Sequence, residues 1–117
     1  GRSAPGADDA APALLAQIAT WANAGNSEEA RAACERYLQQ FEPHAQVFYW
    51  LGLLSDTAGQ GTQALNHYRK ALYLQPQHPE ALAHLAALLA SQGDVVGARR
   101  LQERAARRER SDREPEQ

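Results

Sequence analysis

The chain has 117 residues, enough for one folded domain with a buried core. Its 12 Lys+Arg against 14 Asp+Glu leave a formal net charge of −2, so the balance offers no general attraction to nucleic acid or to an anionic membrane surface. The single cysteine, Cys34, excludes an intrachain disulfide framework and a thiolate metal cluster and fits a reducing, cytoplasmic compartment, and the lack of any run of about 18 apolar residues or of a secretory leader pattern argues against membrane insertion and secretion.

Ala, Leu, Gln, Glu and Arg dominate and β-branched residues are few, so an all-α fold is expected. Residues 1–8 read as a disordered lead or an expression remnant. A first helix is expected near 10–24, stopped by Gly25, and a second near 28–41, with Ser27 offering an N-cap oxygen and Glu28 and Glu29 favouring its start. After Pro43 a third helix is expected near 45–58. Gly59 stops it, Thr62 caps a fourth near 63–75, and Pro76 and Pro79 mark the next junction. A fifth near 79–92 ends at Gly93, and Asp94 caps a sixth near 95–109. Residues 99–117 carry seven Arg against five acids, which reads as a solvated helix face followed by a disordered tail from 111. Those arginines fit either a solubilising cap on an open stack or a contact for an anionic partner or an acidic neighbouring domain.

Internal repetition organises the chain. Gly25, Gly59 and Gly93 recur at a constant interval, and Ala30, Ala64 and Ala98 recur at the same one. That interval, about 34 residues, is the period of a helix-turn-helix unit. The middle copy has Phe48, Leu51-Gly52, Ala64, Tyr68 and Pro76 at the spacings aromatic-x2-L-G, A-x3-aromatic and a closing Pro, with Ser55 where an aromatic is usual. This pattern resembles a tetratricopeptide repeat (TPR). The resemblance covers three copies, about 11–44, 45–78 and 79–112, within a domain of residues 9–110, and implies a right-handed α-solenoid with a polar C-terminal end.

The outer copies are weaker. The first has Ile18 in the Gly position, Trp21 in the Tyr position and Cys34 in the second aromatic position; the third has Ala86 for the Gly and Gln102 for the aromatic. Terminal repeats lose one packing neighbour, so such departures are expected. Trp21 and Cys34 are read as core. Tyr37 falls where Ala71 and Ala105 sit, so the first helix pair is expected to cross differently.

Little here suggests chemistry. His44, His67, His78 and His84 form no ligand pair of metal-binding spacing. Gly59-Gln60-Gly61-Thr62 lacks the P-loop lysine and follows a helix, so it reads as a turn. No catalytic, cofactor-binding or metal-binding residue is assigned, no cofactor is expected, and the chain by itself is not expected to be an enzyme.

The TPR resemblance implies a concave face, lined by the first helix of each pair, that holds a protein or peptide. Its positions would be Leu15, Ala16, Ala19, Ala22 and Asn23; Tyr49, Trp50, Leu53, Asp56 and Thr57; and Ala83, His84, Ala87, Ala90 and Ser91. Leu15, Ala19, Tyr49, Leu53, Ala83 and Ala87 stand where chaperone-tail clamps carry cationic and amide groups, so a carboxylate clamp is not expected. An apolar anchor or an amphipathic helix suits the strip, with Tyr49 and Trp50 as hot spots of about 2 kcal/mol each. Trp50 packing between repeats is the other reading. Tyr49→Ala and Leu53→Ala are expected to weaken capture and leave melting unchanged.

The stretch Tyr68-Arg69-Lys70-Ala71-Leu72-Tyr73-Leu74, with Pro76, His78, Glu80-Ala81-Leu82 and His84-Leu85-Ala86, resembles the TPR region that follows the catalytic domain in bacterial CheR-type chemoreceptor methyltransferases. That implies a docking module of a cytoplasmic S-adenosylmethionine-dependent enzyme in a chemosensory pathway. Its partner would be a chemoreceptor or another signalling protein. The other expectation is self-association as a homodimer scaffold.

Overall fold

The computed structural model describes residues 9–113, and all regular structure within them is helical. Six helices follow one another: α1 (Ala10–Asn23), α2 (Ser27–Gln40), α3 (Ala45–Thr57), α4 (Gly61–Leu74), α5 (Pro79–Ser91) and α6 (Val95–Arg113). Each lies within two residues of its expected start. Only α6 overruns its expected end, continuing to Arg113 with an Arg108–Asp112 ion pair of 3.2 Å one turn apart. Residues 111–113 are therefore helical where a tail was expected, and the expected lead at 1–8 and residues 114–117 lie outside the described residues.

The three intra-pair turns share one construction. Gly25, Gly59 and Gly93 take φ of 83°, 78° and 90°, a region costly to any residue with a Cβ. The amide of the following residue reaches back five positions, Asn26 to Trp21, Gln60 to Ser55 and Asp94 to Leu89, at 2.8–2.9 Å, which closes a Schellman turn. That following residue is also the N-cap of the next helix. Ser27 and Thr62 therefore lie inside α2 and α4 and are not their caps; Asn26 and Gln60 hold those positions and make no side-chain cap bond. Asp94 is at the capping position, and its Oδ1 accepts from the Gly97 amide at 2.8 Å.

Between pairs the caps are histidines. His44 Nδ1 accepts from the Gln46 amide at 3.0 Å, and His78 Nδ1 from the Ala81 amide at 3.0 Å. The two occupy the same position in successive copies of the repeat.

Within the pairs, the motif residues form the core: Ile18, Ala30, Cys34, Leu51, Gly52, Ala64, Tyr68, Ala71, Leu82, Leu85 and Ala98 are buried. Tyr37 is buried too, its ring 5.0 Å from Phe41 and 6.2 Å from His44. Its bulk is thus taken up at the α2–α3 junction. Trp21 is half-buried against the core, as its motif position implies.

The pairs stack into an open curve. α1 touches α3 and α3 touches α5, whereas no Cα of α2 comes within 8 Å of α4, nor of α4 within 8 Å of α6. The first helices of the pairs therefore form a contiguous inner layer and the second helices a splayed outer one. The result measures 52 × 45 × 23 Å with a radius of gyration of 16.0 Å, against about 13 Å for a compact domain of about 100 residues.

Candidate partner-binding face

The inner layer of α1, α3 and α5 is where the sequence placed a binding strip. Its centre is a seam rather than a surface. Tyr49, only 6% exposed, lies between α3 and α5 with its ring 5.4 Å from His78 and 5.5 Å from His84, and its hydroxyl 3.4 Å from His84 Nε2. Trp50, 8% exposed, packs 5.1 Å from Tyr49, and its indole N–H has no partner. The expectation of two open aromatic hot spots is therefore corrected. Adjacent inner helices leave a gap the width of a ring, and the Tyr49 ring fills the one between α3 and α5.

Around that seam the strip remains accessible. Leu15, Ala19, Ala22, Leu53, Asp56 and His84 are half-buried, and Ala16, Asn23, Thr57, Ala90 and Ser91 are exposed. The hydroxyls of Thr57 and Ser91 donate back to carbonyls of their own helices, Leu54 at 3.2 Å and Leu88 at 2.7 Å. Asp56 accepts a 3.0 Å hydrogen bond from the buried Tyr68 hydroxyl, which fixes its carboxylate from below.

Ala83 and Ala87 are exposed too. They border a hollow of about 300 Å³ at the C-terminal end of the stack, with Leu82, Ala86, Ala105 and Ala106, and Gln102 and Glu109 at its rim. Position within the repeat explains this. On α3 the equivalents of Ala83 and Ala87 are Tyr49 and Leu53, and the Tyr49 position faces the next inner helix; α5 has no such neighbour among the described residues.

Gln46 was not singled out from the sequence, yet its Oε1 lies 2.7 Å from His78 Nε2 and ties α3 to α5. His78 is 2% exposed. Burial pushes its imidazole below the ordinary range; the Glu80 carboxylate 3.6 Å away opposes this, while His44 and Arg108 add to the lowering. With Nδ1 accepting from an amide and Nε2–H donating to Gln46, the ring is neutral. Cys34 is fully buried and burial raises its thiol to about 12, so it is no nucleophile. Among the described residues no three His, Cys, Asp or Glu side chains converge as a metal site would require, and no helix is long and apolar enough to cross a membrane.

This architecture agrees with sequence comparison, in which residues 57–115 match the tetratricopeptide repeat model. The chain belongs to the tetratricopeptide repeat family. It is 73% identical over 99 residues to a probable biofilm formation methyltransferase, WspC, of Pseudomonas putida, a match covering 85% of this chain and 23% of that protein. WspC of Pseudomonas aeruginosa is 69% identical over 91 residues, covering 78% of this chain and 22% of the relative. The chain thus corresponds to a little under a quarter of these proteins.

Among solved structures, PcrH in complex with the chaperone binding region of PopB superposes with a TM-score of 0.74 at 23% identity, covering 85% of this chain and 80% of that one. The type III secretion chaperone SycD of Yersinia enterocolitica, in complex with a peptide of the translocator YopD, gives 0.73 at 20% identity, covering 83% and 74%. SycD is also known as an alternative dimer. At these identities the likeness concerns the TPR fold alone.

Proposed function

We propose that this TPR domain is a non-catalytic docking module that holds a partner polypeptide against the inner layer of α1, α3 and α5. The observation that carries this reading is the asymmetry of the stack: inner helices in contact, outer helices apart, and a weakly charged inner strip running from Asn23 through Leu53 and Thr57 to Ser91. Such a strip accepts apolar side chains while helix-end hydroxyls and Asp56 orient polar ones.

The parent polypeptide, on this reading, is a cytoplasmic S-adenosylmethionine-dependent methyltransferase of chemoreceptor glutamates, and the TPR domain brings it to a receptor or another chemosensory protein. Identity to a region of WspC supports that placement. Tethering raises the local concentration of the substrate without new chemistry.

The test is site-specific photocrosslinking in cells. A photoreactive residue at Leu53, Thr57 or Ser91 should yield a polypeptide adduct, and one at the exposed Ala32 of α2 should not. Adducts from Ala32 alone would overturn the concave docking site.

The hollow beside Ala83 and Ala87 favours a second reading, self-association through the end of the stack. Light scattering separates the two, because a strictly monomeric chain eliminates the homodimer.

A further inference from the structure

The splay of the outer helices opens a second groove, of about 370 Å³, between α4 and α6. Leucines of the core, Leu72 and Leu101 among them, form its floor. Its rims are cationic: Arg69 on α4, and Arg100 and Arg104 on α6, against the single carboxylate of Asp94. That carboxylate is engaged in capping Gly97. Among the described residues no carboxylate lies within ion-pairing distance of any of the three guanidiniums. Arg104 donates one N–H to the Pro76 carbonyl at 2.6 Å, which holds its fork in place at the groove.

Outside the groove's lining, an exposed apolar side chain stands one turn from each of two rim arginines. Tyr73, 85% exposed, stands one turn beyond Arg69 on α4, and Val96, 59% exposed, one turn before Arg100 on α6. Tyr and Arg are among the residue types that most often carry binding energy.

We propose that this outer groove docks an acidic polypeptide segment bearing apolar side chains, independently of the concave face. Charge complementarity selects the occupant. Carboxylates satisfy Arg69 and Arg100, whose N–H forks match them in bidentate geometry, while apolar side chains cover Tyr73, Val96 and the leucine floor. A nucleic acid fits less well, since its phosphates would meet three cations only, beside a carboxylate and an apolar floor, on a chain of net charge −2.

The experiment is fluorescence anisotropy on the full chain with a short labelled peptide of Glu and Leu, compared with a Gln/Leu peptide of equal length and with a single-stranded oligothymidine. The Glu/Leu peptide should bind saturably and weaken with added salt, and the Gln/Leu peptide should bind at least about tenfold more weakly, the size of one or two charged contacts. The double variant Arg69→Gln/Arg100→Gln should lose about tenfold or more, and Tyr73→Ser several-fold. Arg36→Gln, at an exposed arginine of α2 outside the groove, should leave binding unchanged. Arg104 stays intact because of its bond to Pro76. Undiminished binding by the double variant, no saturable binding of the Glu/Leu peptide, or tighter binding of the oligothymidine would each overturn the proposal. Should the double variant melt early, the Glu/Leu-to-Gln/Leu ratio and the salt response of the unaltered chain decide the matter alone.

Discussion

Gly52 of α3 leaves the space that the Tyr68 ring of α4 occupies: a Cβ at position 52 would stand 2.5 Å from Tyr68 Cδ1 and 2.6 Å from Cε1. Tyr68 is fully buried and cannot swing aside. Gly52→Ala should therefore destabilise the domain by about 1–3 kcal/mol, as overpacking does, measured by urea unfolding. Tyr68→Phe keeps the ring and removes only the donor to Asp56, so it should cost about 1 kcal/mol. Equal stability of Gly52→Ala and the parent would mean that α3 and α4 are further apart than described.

Tyr49 gives a prediction opposite to the one its sequence position invites. The ring is sealed between α3 and α5, so Tyr49→Ala should lose about 3 kcal/mol, in the range of buried aromatic truncations. A thermal melt reads this directly. Leu53→Ala, at a half-buried site, should lose clearly less, which makes Leu53 the useful probe of the proposed docking.

His78 sets a pH dependence. Its folded-state pKa is lowered from an ordinary value of 6.5, so the unfolded chain binds the proton more readily and acid favours unfolding. Stability from this group is complete above about pH 6.5 and declines as pH falls from there through the folded-state pKa. His67 is lowered in the same direction by burial, with Lys70 and Arg31 contributing. Urea unfolding at pH 7.5 and 5.5 should show the loss, and His78→Gln should shrink it. An unchanged difference would remove His78 as a source.

The repeat made most of this fold legible. Gly and Ala recurring in phase marked out six helices, their pairing and the places where the first helix of each pair stops, because backbone conformation at a turn depends on one residue's lack of a Cβ. Cap identity was less legible. A Schellman turn merges the end of one helix with the start of the next, so the cap follows the glycine directly whether Asn26, Gln60 or Asp94 stands there. His44 and His78 were visible as a pair in phase with the repeat, but a cap role competes with every other use of a histidine. Within the proposed binding face, period places Tyr49 on the inner layer, yet only packing reveals that the layer closes over it. The α4–α6 groove needed the structure, since Arg69 and Arg100 belong to different repeats and lie far apart along the chain.

Backbone and steric costs can be told apart at glycine. Gly93 has φ of 90° and, beyond its two chain neighbours, no atom within 4 Å of where a Cβ would stand, so Gly93→Ala meets strain without any clash. The expected loss is about 1–2 kcal/mol. Gly93→Asn should recover part of it, since Asn tolerates the left-handed region best among residues with a Cβ. Comparable losses for both variants would indicate that something other than φ is at stake.

Cys34 reports on global opening. Its side chain is fully buried between α2 and α3, with Sγ 4.0 Å from the Val47 carbonyl, and burial holds the thiol at about 12. At pH 8 an ordinary cysteine exposes substantial thiolate; this one exposes almost none, and reagent access is blocked as well. Modification by an aromatic disulfide should therefore follow unfolding, with a urea midpoint coinciding with loss of helicity. Reactivity appearing well below that midpoint would show that the first repeat opens on its own. That outcome is physically open to a repeat stack, whose stability is a sum of unit and interface contributions and whose end units have one neighbour fewer. Coincident midpoints would instead show that the α2–α3 junction, with Tyr37, Phe41 and His44 packed together, couples the first repeat to the rest.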